Sequence, residues 1–248
     1  MCNRICEFCP RHDPKLYKNR KVYVSVETCK LIAQQLKEIN FAGSVGFVGH
    51  SEPLLHPNLC ECIKAVSEFG PKNIIIEVNT NGDFLTKELA EKLVASGCTN
   101  ITVSMYDSDQ SEYFTLLCEG LDVRLVLRHH YDKNTNYNLI MVNRNDIASE
   151  NVFTQSINRP CYLPFDQIFV NWNGDYLICS QDWKKVTGKK YNVKSISIRE
   201  YWINQANRYR KPLANGNRDA LIPCNRCDIN GTLRGKENFD FIVKHLLT

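Results

Sequence analysis

The chain begins with MCNRICEFCP, residues 1–10, in which Cys2, Cys6 and Cys9 form a C-x3-C-x2-C pattern. Three thiolates this close together can hold three corners of one metal site, and soft thiolate ligands select zinc, copper(I) or an iron–sulfur cluster. A closed structural zinc site needs a fourth ligand, and the nearest further Cys or His is His12. In a [4Fe–4S] cube, three thiolates would instead leave one iron open to a small molecule. The pattern alone leaves the zinc and the iron–sulfur interpretations open.

The overall composition narrows the class of protein. With 248 residues, 43% of them hydrophobic, the chain can form one large α/β domain or a domain with an appendage. No apolar run approaches the roughly 20 residues that span a bilayer, and the polar N-terminus does not resemble a signal peptide. The net charge of +4, from 31 basic and 27 acidic residues, is too weak to indicate nucleic acid. We therefore expect a cytoplasmic protein with no membrane segment and no nucleic-acid partner.

Twelve cysteines are many for a chain without a secretion signal. In a reducing compartment such a count indicates metal ligation more than disulfides. A second patterned group follows the N-terminal one and consists of Cys161, Cys179, Cys224 and Cys227. The remaining cysteines are expected to be small buried hydrophobic residues: Cys29, Cys60, Cys62, Cys98 and Cys118.

Helical and strand-like segments alternate between residues 20 and 143. Apolar residues recur at helical spacing over residues 26–39, 56–69 and 86–96. Short apolar or β-branched runs predict strands over residues 43–48, 73–78, 100–105, 123–128 and 138–142. This alternation predicts a parallel sheet, open or barrel-like, with the chemistry at the carboxyl ends of its strands.

The pattern changes after residue 150. Strand-like residues 168–172 and 176–179 flank Asn173-Gly174-Asp175, a strong turn signal that predicts a β-hairpin. Helices are expected over residues 198–209 and 239–247. We therefore expect two domains, residues 1–150 and residues 151–248.

The N-terminal cysteine pattern, with the aromatic Phe8 before its third cysteine, resembles the signature of radical S-adenosylmethionine (SAM) enzymes. The resemblance implies a partial (β/α)6 TIM-like barrel, with a [4Fe–4S] cluster on the three cysteines and SAM at the open iron. It also implies reductive cleavage of SAM to a 5′-deoxyadenosyl radical that abstracts hydrogen from substrate. A flavodoxin- or ferredoxin-like electron donor would supply the reducing electron. The family has a strand before its first cysteine, but only Met1 precedes Cys2, so the first strand is apparently missing or the true start lies upstream.

Further motifs match the same family in order. FVGHSEPLLHP, residues 47–57, resembles its Gly-Gly-Glu-Pro segment, with other residues in place of the two glycines. The likeness implies that Glu52 accepts a hydrogen bond from the SAM amino group; the alternative is a carboxylate that stabilises a helix N-terminus. NTNGDFL, residues 79–85, resembles the family's third-strand segment and makes Asn81 a candidate cofactor contact. Ser104 occupies a position at which the family often has a polar contact to SAM. Phe8 is the remaining candidate for a cofactor contact.

The second cysteine group resembles an auxiliary-cluster domain. The start of the SPASM domain has the same spacing as Cys161, Gly174 and Cys179, with twelve residues between the first two and four between the last two. Cys224 and Cys227 complete a ligand set. Four cysteines resemble the shortened "twitch" version, which holds one [4Fe–4S] cluster. The expected domain is a small C-terminal twitch/SPASM-like β-hairpin plus helix. A four-cysteine zinc knuckle is the alternative.

Within this group the chain resembles dehydrogenases that oxidise a ring alcohol. That likeness makes Arg144, in Val142-Asn143-Arg144, the candidate catalytic residue. A guanidinium can bind a hydroxyl or carboxylate and stabilise developing negative charge. A salt bridge without a catalytic role is the alternative for this arginine, and Asn145 and Asp146 replace glycines that are usual after it.

The sequence therefore predicts a radical SAM oxidoreductase with two [4Fe–4S] clusters, acting on a small polar substrate such as a sugar or aminocyclitol alcohol. One alternative is a peptide-modifying radical SAM enzyme, although no separate peptide-recognition domain is apparent. The other is a non-catalytic protein in which zinc or iron–sulfur clusters hold the fold of a binding module.

Overall fold

The computed structural model describes residues 1–6, 9–15, 17–130, 158–229 and 235–247. The chain divides into two compact units. The first unit comprises Met1–Arg4 and Arg20–Ile140, and the second comprises Ile5–Asn19 and Met141–Thr248. The N-terminal cysteine motif is thus divided between the units. The domain boundary expected at residue 150 lies outside the described residues and stays a prediction.

The first unit is an α/β structure built on a four-stranded parallel sheet of order β1-β2-β3-β4. Its strands are β1 (Ser44–Phe47), β2 (Ile75–Thr80), β3 (Asn100–Met105) and β4 (Arg124–His129). Its helices are α1 (Val26–Glu38), α2 (Leu59–Phe69), α3 (Lys87–Ala95) and α4 (Ser111–Cys118), with a 3-10 turn at Pro53–Leu55. The expected α/β class with a parallel sheet is confirmed. The strand expected over residues 138–142 lies outside the described residues.

Local signals explain why these helices begin where they do. The Ser25 hydroxyl accepts a hydrogen bond from the Thr28 N–H at 3.1 Å, and the Thr86 hydroxyl accepts one from the Leu89 N–H at 3.2 Å. Each caps the first turn of a helix that the sequence predicted. Helix α4 was not predicted, because its aromatic and β-branched residues over 113–115 are typical of a strand.

The two faces of the sheet differ in polarity because successive side chains of a strand point to opposite sides. One face is apolar and packs on the helices: β2 contributes Ile76 and Val78, and β3 contributes Ile101 and Val103, all at most 2% exposed. The opposite face carries mostly polar residues, which are described with the candidate site. The core of the first unit therefore lies on one side of its sheet.

The second unit is built from short elements. It contains a two-stranded antiparallel hairpin, β5 (Phe169–Val170) and β6 (Tyr176–Leu177), in the expected place. The helices are α5 (Leu163–Asp166), α6 (Ile198–Glu200), α7 (Asn207–Ala214) and α8 (Lys236–Leu246). The segment predicted as one helix over 198–209 is divided by a π-helical stretch, Tyr201–Gln205. None of the described helices is both long and apolar enough to cross a bilayer.

Replacing Gly82 with Ala should destabilise the first unit more than the matched change Gly120→Ala. Both glycines have left-handed φ angles, +82° and +76°, so each substitution costs about 1–2 kcal/mol in backbone strain. A methyl group at residue 82 would also lie 2.5 Å from Phe114 Cζ and 2.9 Å from Val103 Cγ1, whereas at residue 120 it would meet no atom within 4 Å. Overpacking adds about 1–3 kcal/mol to the loss at residue 82. Urea unfolding measures both losses, and equal values would contradict the prediction.

Candidate active site

The cysteine motif contributes to both units. Cys2 lies in the first unit, and Cys6 and Cys9 lie in the second. In the second unit the Cys9 N–H donates to the Cys6 carbonyl at 2.9 Å, and the His12 N–H donates to the Cys9 carbonyl at 2.8 Å. These bonds form a tight turn that continues into a 3-10 turn at Pro10–His12. All three thiols are half-buried, and Phe8 lies outside the described residues.

The N-terminal residues of the first unit are bonded to the loops that follow β1 and β2. The Met1 carbonyl accepts a hydrogen bond from the Glu52 N–H at 2.9 Å. The Asn3 side chain donates to the Asp83 carboxylate at 2.5 Å and accepts from Asn81 Nδ2 at 3.0 Å. Because both loops leave carboxyl ends of parallel strands, these bonds hold the first thiol of the motif at that edge of the sheet.

Arg4 strengthens the same attachment. Its Nε and Nη2 donate to the two oxygens of Asp83 at 2.7 and 2.5 Å, and its Nη1 donates to Asp107 at 2.6 Å. The guanidinium also lies over the Tyr106 ring, 5.6 Å from its centroid. The bidentate bond from Arg4 holds the pKa of Asp83 below its usual value.

Sequence reasoning missed both members of this ion pair. Arg4 lies inside the cysteine motif and Asp83 lies inside NTNGDFL, and both motifs were identified in the sequence. The pairing joins residues 79 positions apart, and no local pattern in a single sequence indicates such a contact.

Glu52 is a buried carboxylate, 5% exposed, at the carboxyl edge of the sheet. Its Oε1 accepts from Thr80 Oγ1 at 2.6 Å and from the Leu54 N–H at 3.0 Å, and its Oε2 accepts from the Asn81 N–H at 2.9 Å. Burial raises the pKa of Glu52, and the three hydrogen bonds oppose that shift.

The hydrogen-bond capacity of Glu52 is compatible with both roles that the sequence indicated. The bond from Leu54 caps the 3-10 turn Pro53–Leu55, which is the helix-start role. A carboxylate offers about four acceptor positions, and the three donors among the described residues leave room for one more. A positively charged amino group is a suitable donor for that position because it compensates the buried negative charge.

Asn81 and Ser104 lie near the same edge of the sheet. Asn81 is buried, and its Oδ1 accepts from the Asp83 N–H at 3.0 Å, so the side chain shapes the loop after β2. Ser104 is half-buried on β3, beside Arg128 in the strand register. Arg144 lies outside the described residues.

The polar face of the sheet contains linked side chains from β2 and β3. The Glu77 carboxylate accepts from Thr102 Oγ1 at 2.7 Å and from Asn79 Nδ2 at 3.0 Å. Asn79 pairs with Thr102 in register, and Ser104, two residues after Thr102 on β3, pairs with Arg128. Ser104 and Arg128 therefore lie on the same face. This face therefore offers hydrogen-bond donors, acceptors and both signs of charge.

The auxiliary cysteines line one cavity in the second unit. Cys161, Cys179, Cys224 and Cys227 all contribute to its wall, together with Arg218. Among the described residues no three Cys, His, Asp or Glu side chains converge closely enough to hold a single metal ion. Thiols that surround a cavity fit a polynuclear cluster better than one zinc ion, which needs its ligands about 2.3 Å from a common centre.

The thiols around this cavity lie in a low-dielectric environment. Burial raises the pKa of all four thiols, and the proximity of other cysteines raises it further for Cys179, Cys224 and Cys227. The positive charge of Arg218 opposes this shift at Cys161, Cys224 and Cys227. Bound iron would compensate the same thiolates, so the donor set fits an iron–sulfur cluster.

Comparison with known proteins agrees with both parts of this description. The model of the radical SAM superfamily matches residues 1–133, and the model of the SPASM iron–sulfur cluster-binding domain matches residues 161–228. An S-adenosyl-L-methionine-dependent 2-deoxy-scyllo-inosamine dehydrogenase of Niallia circulans is 27% identical over 258 residues, covering 98% of this chain and 94% of that protein. A probable GTP 3′,8-cyclase of Methanocaldococcus jannaschii is 31% identical over 133 residues, covering 51% of this chain and 40% of that protein.

Solved structures show the same relationship. The crystal structure of BtrN in complex with AdoMet and 2-DOIA has a TM-score of 0.77 and 25% identity, covering 96% of this chain and 93% of that one. Native anSMEcpe with bound AdoMet has a TM-score of 0.56 at 13% identity, covering 99% and 95%, and supports the fold alone.

The superfamily match spans residues 1–133 of 248, which is more than half of the chain. The two matched domains imply SAM and two iron–sulfur clusters as cofactors. The chain belongs to the radical SAM superfamily, and its full-length relationship to a SAM-dependent dehydrogenase makes it an oxidoreductase of that superfamily.

Proposed function

We propose that this enzyme oxidises an alcohol group of a small, hydroxylated compound such as a sugar or an aminocyclitol. The observation that carries the proposal is the polar face of the sheet, with Glu77, Asn79 and Thr102 in one hydrogen-bonded group. The relative of this chain from Niallia circulans is named as a dehydrogenase of 2-deoxy-scyllo-inosamine. Hydroxyl and amino substituents need both donors and acceptors, and this face supplies them.

The cofactor contacts of the proposal follow from the sequence motifs. Bound SAM and its cluster supply a 5′-deoxyadenosyl radical, and the auxiliary cluster supplies a one-electron acceptor. The proposed ligands of the first cluster are Cys2, Cys6 and Cys9. The proposed ligands of the auxiliary cluster are Cys161, Cys179, Cys224 and Cys227. The proposed SAM contacts are Phe8, Glu52, Asn81 and Ser104.

The chain's own residues bind and orient the substrate. Oxidation to a ketone removes a hydrogen atom from the carbinol carbon, a proton from its hydroxyl group and one electron. Negative charge grows on the carbinol oxygen as its proton leaves, and a guanidinium stabilises such charge. Arg144 is the proposed catalytic residue for this role, on its likeness to the family. Glu77 is the proposed acceptor for a substrate hydroxyl or amino group.

We expect the barrel to occupy residues 1–150 and the auxiliary-cluster domain to occupy residues 151–248. A flavodoxin- or ferredoxin-like protein is the proposed electron donor, and a cytoplasmic location would keep the twelve thiols reduced.

The first experiment is anaerobic reconstitution, reduction with dithionite and assay of 5′-deoxyadenosine from SAM, beside a Cys6→Ala control. Two [4Fe–4S] clusters predict about eight irons per chain, and the product should form in the wild type and not in the control. Alcohols of the aminocyclitol and sugar classes are then compared for ketone formation. Formation of 5′-deoxyadenosine without oxidation of any such alcohol would contradict the proposed substrate class.

Glu52→Gln and Glu77→Gln should weaken the binding of different ligands. We expect Glu52→Gln to weaken SAM binding by about 10- to 100-fold, because it removes a charge-assisted hydrogen bond to the SAM amino group. Glu77→Gln should leave SAM affinity near the wild-type value and raise the KM for the alcohol. Calorimetric titration with SAM and steady-state kinetics measure the two effects. Equal losses of SAM affinity in both variants would contradict the assignment.

Asp83→Asn should loosen the N-terminal segment, because Arg4 donates two hydrogen bonds to Asp83. The Asp83 pKa is lowered in the folded chain, so its stabilising effect is present at neutral pH and is lost as the pH falls through that lowered value. The difference in free energy of unfolding between wild type and Asp83→Asn should therefore disappear in acid. Asp107→Asn is the matched control, since the Asp107 side chain is 73% exposed and exposed ion pairs contribute little. A difference that persists unchanged at low pH would refute the role of this ion pair.

A further inference from the structure

The guanidinium of Arg218 is buried in the second unit, with 1% of the residue exposed. Within the described part of the chain it donates to four main-chain carbonyls: to Cys227 at 2.9 Å, Ile229 at 2.6 Å, Arg159 at 3.3 Å and Pro160 at 3.4 Å. The guanidinium group therefore joins the segment just before Cys161 to the segment around Cys227.

Among the residues that the structure describes, none of the ion pairs with an N···O distance within 4.0 Å includes Arg218. Carbonyl dipoles satisfy its N–H groups but leave a net positive charge in a low-dielectric interior. A buried charge without a counter-ion is strongly unfavourable. An anion close to Arg218 would relieve this cost.

The cavity that Arg218 lines could hold such an anion. Arg218 lines it together with all four auxiliary cysteines. A [4Fe–4S] core with four thiolate ligands carries about two negative charges when oxidised and about three when reduced by one electron. Because the negative charge grows on reduction, a fixed cation stabilises the reduced form more than the oxidised form.

We propose that Arg218 is the counter-ion of the auxiliary cluster and raises its reduction potential. This purpose rests on the proposed alcohol oxidation, in which the substrate radical would lose one electron and one proton to become a ketone and a bound cluster would accept that electron. A higher potential makes the transfer more favourable. Arg218 touches neither substrate nor SAM in this scheme and acts through the charge it places beside the cluster.

A purely structural role for Arg218 makes a different prediction. In that case its four hydrogen bonds hold the two cysteine segments, and its charge is irrelevant. Arg218→Gln removes the charge and keeps some donors, whereas Arg218→Lys keeps the charge and loses the fork. Arg226→Gln is the matched control, because Arg226 lies between Cys224 and Cys227 in the sequence but is exposed to solvent.

The test uses the full chain with Cys2, Cys6 and Cys9 replaced by Ala, so that the auxiliary cluster alone gives a signal. Iron content is measured first, and an EPR-monitored redox titration then gives the potential. Arg218→Gln should shift the reduction equilibrium toward the oxidised cluster by about tenfold, which is about 59 mV for a one-electron couple. Arg218→Lys and Arg226→Gln should shift it by less than about threefold, since charge is retained in one and screened in the other.

Each outcome decides the proposal. An unchanged potential in Arg218→Gln with full iron loading overturns it, as does loss of the cluster in both Arg218 variants, which would indicate a need for the hydrogen-bonding fork. Loss of the cluster in Arg218→Gln but not in Arg218→Lys supports it, because the site then requires the charge. The titration needs neither SAM nor substrate, so its result is independent of whether the enzyme oxidises an alcohol.

Discussion

The buried carboxylate of Glu52 is the interaction on which the carboxyl edge of the first unit depends. It accepts hydrogen bonds from the loop after β2 through Thr80 and Asn81, and its own N–H donates to the Met1 carbonyl. One residue thus connects the loop after β1, the loop after β2 and the segment that contains the first cysteine. Such a group is unfavourable to bury unless its acceptors are satisfied, and the three donors restrict the loops to one arrangement.

A complementary constraint operates in the second unit, where like charges are brought together. The four thiols proposed as iron ligands surround one cavity, and burial disfavours their charged form. The native arrangement is therefore most favourable with metal bound, and cluster assembly and folding of this part of the chain are coupled. The short helices and two-residue strands of this unit have little regular structure to hold the cysteines in place without the cluster.

Much of the first unit could be predicted from sequence because its signals are local. Helical periodicity, Ser25 and Thr86 as caps, and β-branched runs each depend on neighbouring residues, and the observed elements follow those signals closely. The cysteine spacings are local patterns too, and their resemblance to family signatures predicted iron–sulfur clusters. The resemblance of FVGHSEPLLHP to a family motif singled out Glu52 for the same reason.

The features that sequence could not predict are contacts between distant segments. The Arg4–Asp83 ion pair, the bond from Thr80 to Glu52 and the carbonyl contacts of Arg218 all join residues whose spacing carries no periodic signal. Each satisfies a buried or half-buried polar group, and its partner is determined only when the chain is folded. The π-helical stretch Tyr201–Gln205 contains Trp202, whose ring centroid lies 3.7 Å from Cζ of the buried Arg210, and this contact too was not indicated by the sequence.

The contrast between the two faces of the parallel sheet also specifies strand alignment during folding. Parallel sheets are commonly apolar on both faces, so that a neighbouring strand can shift without a large change in polarity. Here Glu77 and Asn79 alternate with Ile76 and Val78 along β2. A shift of one residue would turn these polar side chains into the apolar core and the apolar side chains away from it. The residues proposed to meet the substrate therefore also select the correct alignment against its competitors.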